Sequence, residues 1–178
     1  MKTYFDFVAQ TKTLLATFVL TFLFLLLVFP QLAGDIESLD VRTGGYSYAD
    51  VMAAMEGYGE AGRTRYAWIS PTLDTLFPLC YVSLYAGVLW RFAPHERLKA
   101  MAYLPVIGGV FDLGENAQVV IMLLQYPDIT VAQVEWANRF TLTKFAFSRL
   151  SLFLGILALI WAAVGYGWQR WQARQQQG

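Results

Sequence analysis

Four stretches of this chain are apolar over lengths that match the hydrocarbon core of a membrane, and this narrows the possible folds more than any motif does. They run from about 13 to 29, 71 to 92, 98 to 126 and 140 to 166. At 1.5 Å per helical residue the first is at the short limit for a core of about 30 Å, and the other three cross it fully. Backbone polar groups find no partner in lipid, so segments of this kind must be helices. Composition agrees: 57% of the 178 residues are hydrophobic and 15% charged, too apolar for an ordinary water-soluble domain of this size. The expected fold class is all-α, a single domain built as an antiparallel four-transmembrane-helix bundle.

Thirteen basic and thirteen acidic residues give a formal net charge of zero, so no overall field draws the chain to nucleic acid or to an anionic surface. The single cysteine, Cys80, rules out an internal disulfide and a cysteine-rich metal site. Lys2 and Lys12 precede the first apolar run in the manner of a secretory signal. That run is long for a signal core, however, and Gln31-Leu32-Ala33 lacks a small-x-small cleavage pattern, so a retained first helix is expected.

Connections set the neighbours. The few residues around Ala93, Pro94, His95, Glu96 and Arg97 make the second and third helices a tight hairpin. A longer loop with Pro127, Asp128 and Glu135 leads to the fourth. Lys2, Lys12, Arg91, Arg97, Lys99, Arg170 and Arg174 fall on one side, which by the positive-inside tendency is cytoplasmic and holds both termini. On the other side lies the long segment 30–70, where Asp35, Glu37, Asp40, Asp50, Glu56 and Glu60 outnumber Arg42, Arg63 and Arg65. Within it, Ser47 or Asp50 can cap a short helix through Met55, so this segment is expected to form a partly helical cap over the bundle. GYGEAG at 57–62 matches G-x-G-x-x-G, but it follows a helical pattern with no βαβ unit, and nucleotide binding is set aside. The Gln-rich end reads as a polar tail.

The third apolar run holds VFDLGENAQ, in which Asp112, Glu115 and Asn116 share one arc of a helix. Charged groups in a span are costly and normally face protein or a water cavity, so the arc is a candidate site. On the second helix Asp74 aligns with Pro78, Tyr81 and Tyr85. On the fourth, Lys144 and Arg149 are about 140° apart and cannot share a face; the expectation is that Arg149 points inward and Lys144 reaches to the outer interface. Asp74, Tyr81, Tyr85, Asp112, Glu115, Asn116 and Arg149 would then line an outward-opening pocket, with more carboxylates than cations. Such a pocket can accept a cation or exchange a proton.

Plainer roles exist for each. Asp74 sits where a helix start favours an acid, an Asp112–Arg149 pair would fix helix register, and Glu115 and Asn116 can act as interhelical glue. His95, the only histidine, falls in a turn and supports neither haem nor a histidine-based metal site. Ser148, Ser151 and Gly155 are a small-residue stripe of the kind that lets membrane helices approach.

RTRYAWISPTLDTLFPLCY together with LPVIGGVFDLGENAQ resembles a pattern of uncharacterised bacterial four-helix integral inner-membrane proteins. The resemblance covers roughly residues 45 to 126 and carries no activity. It implies a bacterial inner-membrane setting with the outer side periplasmic. Functionally, the sequence points first to a membrane protein whose pocket binds a polar or cationic group such as a lipid head group. The alternatives are a membrane-embedded enzyme with Asp112 or Glu115 as general acid or base on a lipid-borne substrate, and a structural subunit that meets a membrane partner or a second copy of itself. No cofactor, metal or nucleic acid is implied.

Overall fold

A computed structural model describes residues 1–33 and 38–176, and among these every regular element is helical. Asp35 and Glu37, which the sequence assigns to the acidic outer segment, lie outside the described residues, as does the side chain of Asp40. Four helices are long and apolar enough to cross a membrane: Thr11–Gln31, Leu73–Phe92, Glu96–Gln125 and Val131–Gln175.

The chain starts with α1 (Lys2–Val8), a separate short helix that the sequence reading did not anticipate. Phe5 and Val8 are buried against Ala86, Leu89 and Ala102, and Phe5 stacks on Trp90 with ring centroids 4.9 Å apart. Polar ties hold it there: Trp90 Nε1 donates to Asp6 Oδ1 at 2.9 Å and Arg91 Nη1 to Thr11 Oγ1 at 2.8 Å. α2 (Thr11–Leu23) runs on through a wide π turn at Phe24–Val28 into α3 (Phe29–Ala33). The Phe29 N–H bonds the carbonyl of Phe24, five residues back. Pro30 explains the widening: it lacks an N–H, and its ring would crowd the carbonyl of Leu26 in an ordinary α-helix.

The outer segment holds a longer helix than expected, α4 (Tyr48–Ile69). Ser47 and Asp50 form a reciprocal capping box, each side chain bonding the other's backbone N–H. The helix continues past Met55 but breaks direction at Gly59, whose φ of 61° a side chain would strain. The glycine-rich run is therefore a hinge between two helical pieces. Arg63 Nη1 donates to the Met55 carbonyl at 2.7 Å across that break. Leu39, Tyr46, Val51, Met55 and Tyr66 close a core with Val119, Met122 and Leu123 from α6 (Tyr103–Gln125) and with Val134 and Ala137 from α7 (Val131–Gln175).

α5 (Leu73–Phe92) packs on α1, α2, α6 and α7, and α6 packs most extensively on α7, whereas α2 scarcely touches α7. A 3-10 segment, Glu96–Ala102, turns α5 into α6. α7 begins earlier than the apolar run suggests, because Thr130 and Gln133 form a second capping box; Glu135 is helical and not in the preceding loop. It also runs to Gln175, so most of the expected polar tail is helix. At 45 residues it is about 67 Å long, twice the thickness of a hydrocarbon core.

Glycines set the closeness of α6 to its neighbours. A Cβ on Gly109 would stand 2.7 Å from Val82 Cγ2, and one on Gly108 would stand 3.0 Å from Phe147 Cβ. Valine is stiff at χ1 and cannot swing aside. Gly109→Ala is therefore expected to destabilise the fold by about 1–3 kcal/mol, read as a lower midpoint of thermal unfolding in detergent. Gly57→Ala, where a Cβ meets open space, should leave that midpoint nearly unchanged.

Candidate functional site

α7 turns one continuous stripe inward: Val134, Ala137, Thr141, Lys144, Ser151, Gly155 and Ala158 are buried. With half-buried Ser148 included, the spacing alternates three and four, the period of a helix seam. Lys144 is part of this stripe and only 7% exposed. Arg149, five residues on, faces outward, its guanidinium 5.6 Å from the Phe145 ring centroid. The expected assignment of the two cations is thus reversed. Lys144 is the inward charge, and Arg149 does not join the site. The heptad of small residues carried this signal, since Ser148, Ser151 and Gly155 define the same face as Lys144 and exclude Arg149.

Lys144 Nζ pairs with Asp112 Oδ1 at 3.2 Å and with Glu115 Oε2. Glu115 is fully buried, and its Oε1 accepts from Thr141 Oγ1. Asp112 Oδ2 accepts from Tyr81 Oη at 2.7 Å. Tyr46 from the outer segment stands 3.1 Å from Thr141 Oγ1. A connected polar chain therefore passes from Tyr46 through Thr141, Glu115, Lys144 and Asp112 to Tyr81. Neither Thr141 nor Tyr46 was singled out from the sequence; only their position on the buried faces could have flagged them.

Asn116 has a definite task. Pro78 sits inside α5 and has no N–H for the carbonyl of Asp74, four residues earlier. Asn116 Nδ2 donates to that carbonyl at 2.8 Å, so a side chain of α6 completes the backbone bonding of α5 and fixes the first turn that carries Asp74.

A cavity of about 630 Å³ opens onto this chain. Asp74, Tyr81, Tyr85, Asp112, Lys144 and Ser148 give it a polar floor, and Leu25, Phe29, Phe77 and Phe145 are among its apolar walls. Of the residues proposed from sequence, Asp74, Tyr81, Tyr85 and Asp112 line it. Glu115 and Asn116 stand behind the lining, and Arg149 is outside it. Ser38, Val41 and Thr43 border the cavity from the segment before α4, and Tyr66 and Ile69 from the end of α4. Three carboxylates, Asp74, Asp112 and Glu115, stand in or behind the lining, and Lys144 pairs with the last two. Among the described residues no cluster of His, Cys, Asp and Glu suits a metal ion.

Two substitutions separate these roles. Lys144→Met leaves two buried carboxylates without their shared cation and is expected to cost roughly 3–5 kcal/mol, whereas Arg149→Met should shift the thermal midpoint far less. Asn116→Ala orphans the Asp74 carbonyl, at about 1–3 kcal/mol; in a Pro78→Ala background, which restores the backbone donor, most of that loss should vanish in a double-mutant cycle.

No protein-family profile, no curated protein and no solved structure matches this chain.

Proposed function

We propose that the protein is a multi-pass membrane protein, an antiparallel four-helix bundle whose cavity holds the polar, positively charged head group of a membrane lipid. The observation that carries this reading is the cavity itself: a polar floor that includes the carboxylates of Asp74 and Asp112, beneath walls of Leu25, Phe29, Phe77 and Phe145. An amphiphile fits both parts, with its cation beside Asp74 and Asp112 and its apolar portion on the aromatic walls. Intramembrane charges are costly and usually mark a functional pathway or site. Residues of the segment 38–70 border the cavity, the distribution of Lys and Arg favours both termini on the cytoplasmic side, and the resemblance to bacterial four-helix inner-membrane proteins implies a bacterial inner membrane.

A second reading draws on one contact. Tyr81 Oη, bonded to Asp112 at 2.7 Å, faces the cavity, a geometry suited to passing a proton to or from a lipid-borne substrate. Turnover lost in Tyr81→Phe with lipid binding intact would favour this enzyme reading.

The test of the first reading is native mass spectrometry of the detergent-purified protein with added phosphatidylethanolamine or phosphatidylglycerol. The expected result is preferential retention of the amine-bearing lipid, falling about tenfold in Asp74→Asn and Asp112→Asn. Equal retention of the anionic lipid, or retention indifferent to both substitutions, would overturn the reading.

A further inference from the structure

α7 outlasts the bundle it belongs to. Its buried stripe ends at Ala158, and from Leu159 to Gln175, about 26 Å of helix, no residue is buried. Counted from Phe140, where the apolar run begins, a hydrocarbon core of about 30 Å is crossed by about Ile160. Trp168 and Trp171 then lie roughly 12 and 16 Å past it, beyond a head-group layer of roughly 5–8 Å. A helical segment in water with nothing packed on it is marginal, because helices draw most of their stability from a covered face.

One face of this segment is apolar at the spacing of a coiled coil. Leu154, Leu157, Trp161, Val164, Trp168 and Trp171 recur at alternate intervals of three and four. The seam starts where Leu154 packs against the bundle and then leaves it: Trp161 is 62%, Val164 65% and Trp168 59% exposed. Gly165 and Gly167 add a second, independent observation. They stand about 80° to either side of the seam. Each weakens an exposed helix relative to alanine, and neither is needed within the chain, since a Cβ at either position meets nothing within 4 Å. Gly108, Gly109 and Gly114 of α6, by contrast, each lie against a side chain of a neighbouring helix. Glycines that border a helix face let a second backbone come close to it. The charges are turned away. Arg170 lies about 140° round the helix from the seam, with its guanidinium 4.8 Å from the Tyr166 ring centroid.

We infer that two copies of the chain pair in parallel through the C-terminal part of α7, the seam 154–171 of one lying against the same seam of the other about a two-fold axis normal to the membrane. A second copy is the occupant that fits. Copies share one orientation in a membrane, which makes the pair parallel, and a seam apolar at both of its alternating positions is complementary to itself. The positions that would select an unlike helix are those flanking the seam; past Trp161 they hold Gly165, Gly167 and Gln172, and no charge before Arg174 in the last turn. An apolar groove of about 400 Å³ borders the start of the seam, with Leu157, Trp161 and Val164 on one bank and Pro94, Leu98 and Met101 on the other, and a helix seated on the seam also meets that far bank. The inference goes beyond the lipid-binding reading and takes from it only that the chain spans a membrane.

The experiment is oxidative cross-linking of the full chain in isolated membranes, with Cys80→Ser removing the only native thiol. Val164→Cys, on the seam, should give a cross-linked dimer in a yield at least tenfold that of Ala163→Cys, which is exposed about 120° round the same turn. Adding Trp168→Ala or Gly167→Leu to Val164→Cys should lower the yield about fivefold. Neither residue is buried within the chain, so thermal unfolding of each variant in detergent should match the Cys80→Ser parent and shows that the fold is intact. No dimer from Val164→Cys, the result expected if the exposed aromatic face meets only lipid, overturns the pairing. Equal yields from Val164→Cys and Ala163→Cys, which mark random collision, overturn it as well, as does a yield indifferent to both added substitutions. Retention of the chain in the membrane pellet after alkaline carbonate is read in parallel. Release overturns the membrane-spanning reading and the parallel pair with it, whereas retention without cross-linking at Val164→Cys overturns the pair alone.

Discussion

The ammonium of Lys144, held between Asp112 and Glu115, is the contact on which the rest of the site depends. Two carboxylates three residues apart on α6 repel each other in a low-dielectric interior, and a cation between them makes their burial tolerable. That cation must come from α7, so the extensive packing of α6 on α7 is registered by charge as well as by shape. Thr141, one turn before Lys144 on the same stripe, bonds the far oxygen of Glu115 and keeps that carboxylate turned toward the lysine. Tyr81 does the same for Asp112 from α5. Three helices thus meet at one ion-pair cluster, and the cavity is the space that the fourth helical wall leaves open beside it.

Much of this was legible in the residues. Four apolar runs of spanning length mark four long apolar helices, because nothing but a helix satisfies its own backbone over that distance. The arc of Asp112, Glu115 and Asn116 turned inward as its helical spacing requires, and Asp74 aligned with Tyr81 on the neighbouring face. The ends were less legible. Capping boxes at Ser47 and Thr130 let polar sequence extend α4 and α7 well beyond the apolar residues, and hydropathy does not register such caps. α1 was hidden for a related reason: its Phe5 and Val8 are too few to form a periodic pattern, and their burial depends on Leu89 and Ala102, distant in sequence.

The misassigned cation is the most instructive difference. Arginine and lysine at this spacing are both plausible inward charges when each is considered alone, and the longer lysine stem invites a route outward to water. The stripe of small residues decides the matter, since α7 can approach its neighbours only where Thr141, Ser148, Ser151 and Gly155 stand, and Lys144 shares that face. Lining a cavity also requires knowing which pairs of helices fail to touch. No residue pattern on α2 or α7 alone reveals that these two helices scarcely touch.

The bond from Asn116 to the carbonyl of Asp74 has a consequence for how the chain assembles. A helix normally completes its own ladder and can enter an apolar medium as a finished unit. With Pro78 in place α5 lacks one rung, and the missing donor resides more than forty residues later in the chain. Until α6 arrives, the first turn of α5 carries a bare acceptor that favours water over hydrocarbon. α5 and α6 are therefore coupled during synthesis: the second partner to emerge completes the first, and the hairpin between them, not the single helix, is the smallest piece with its backbone satisfied.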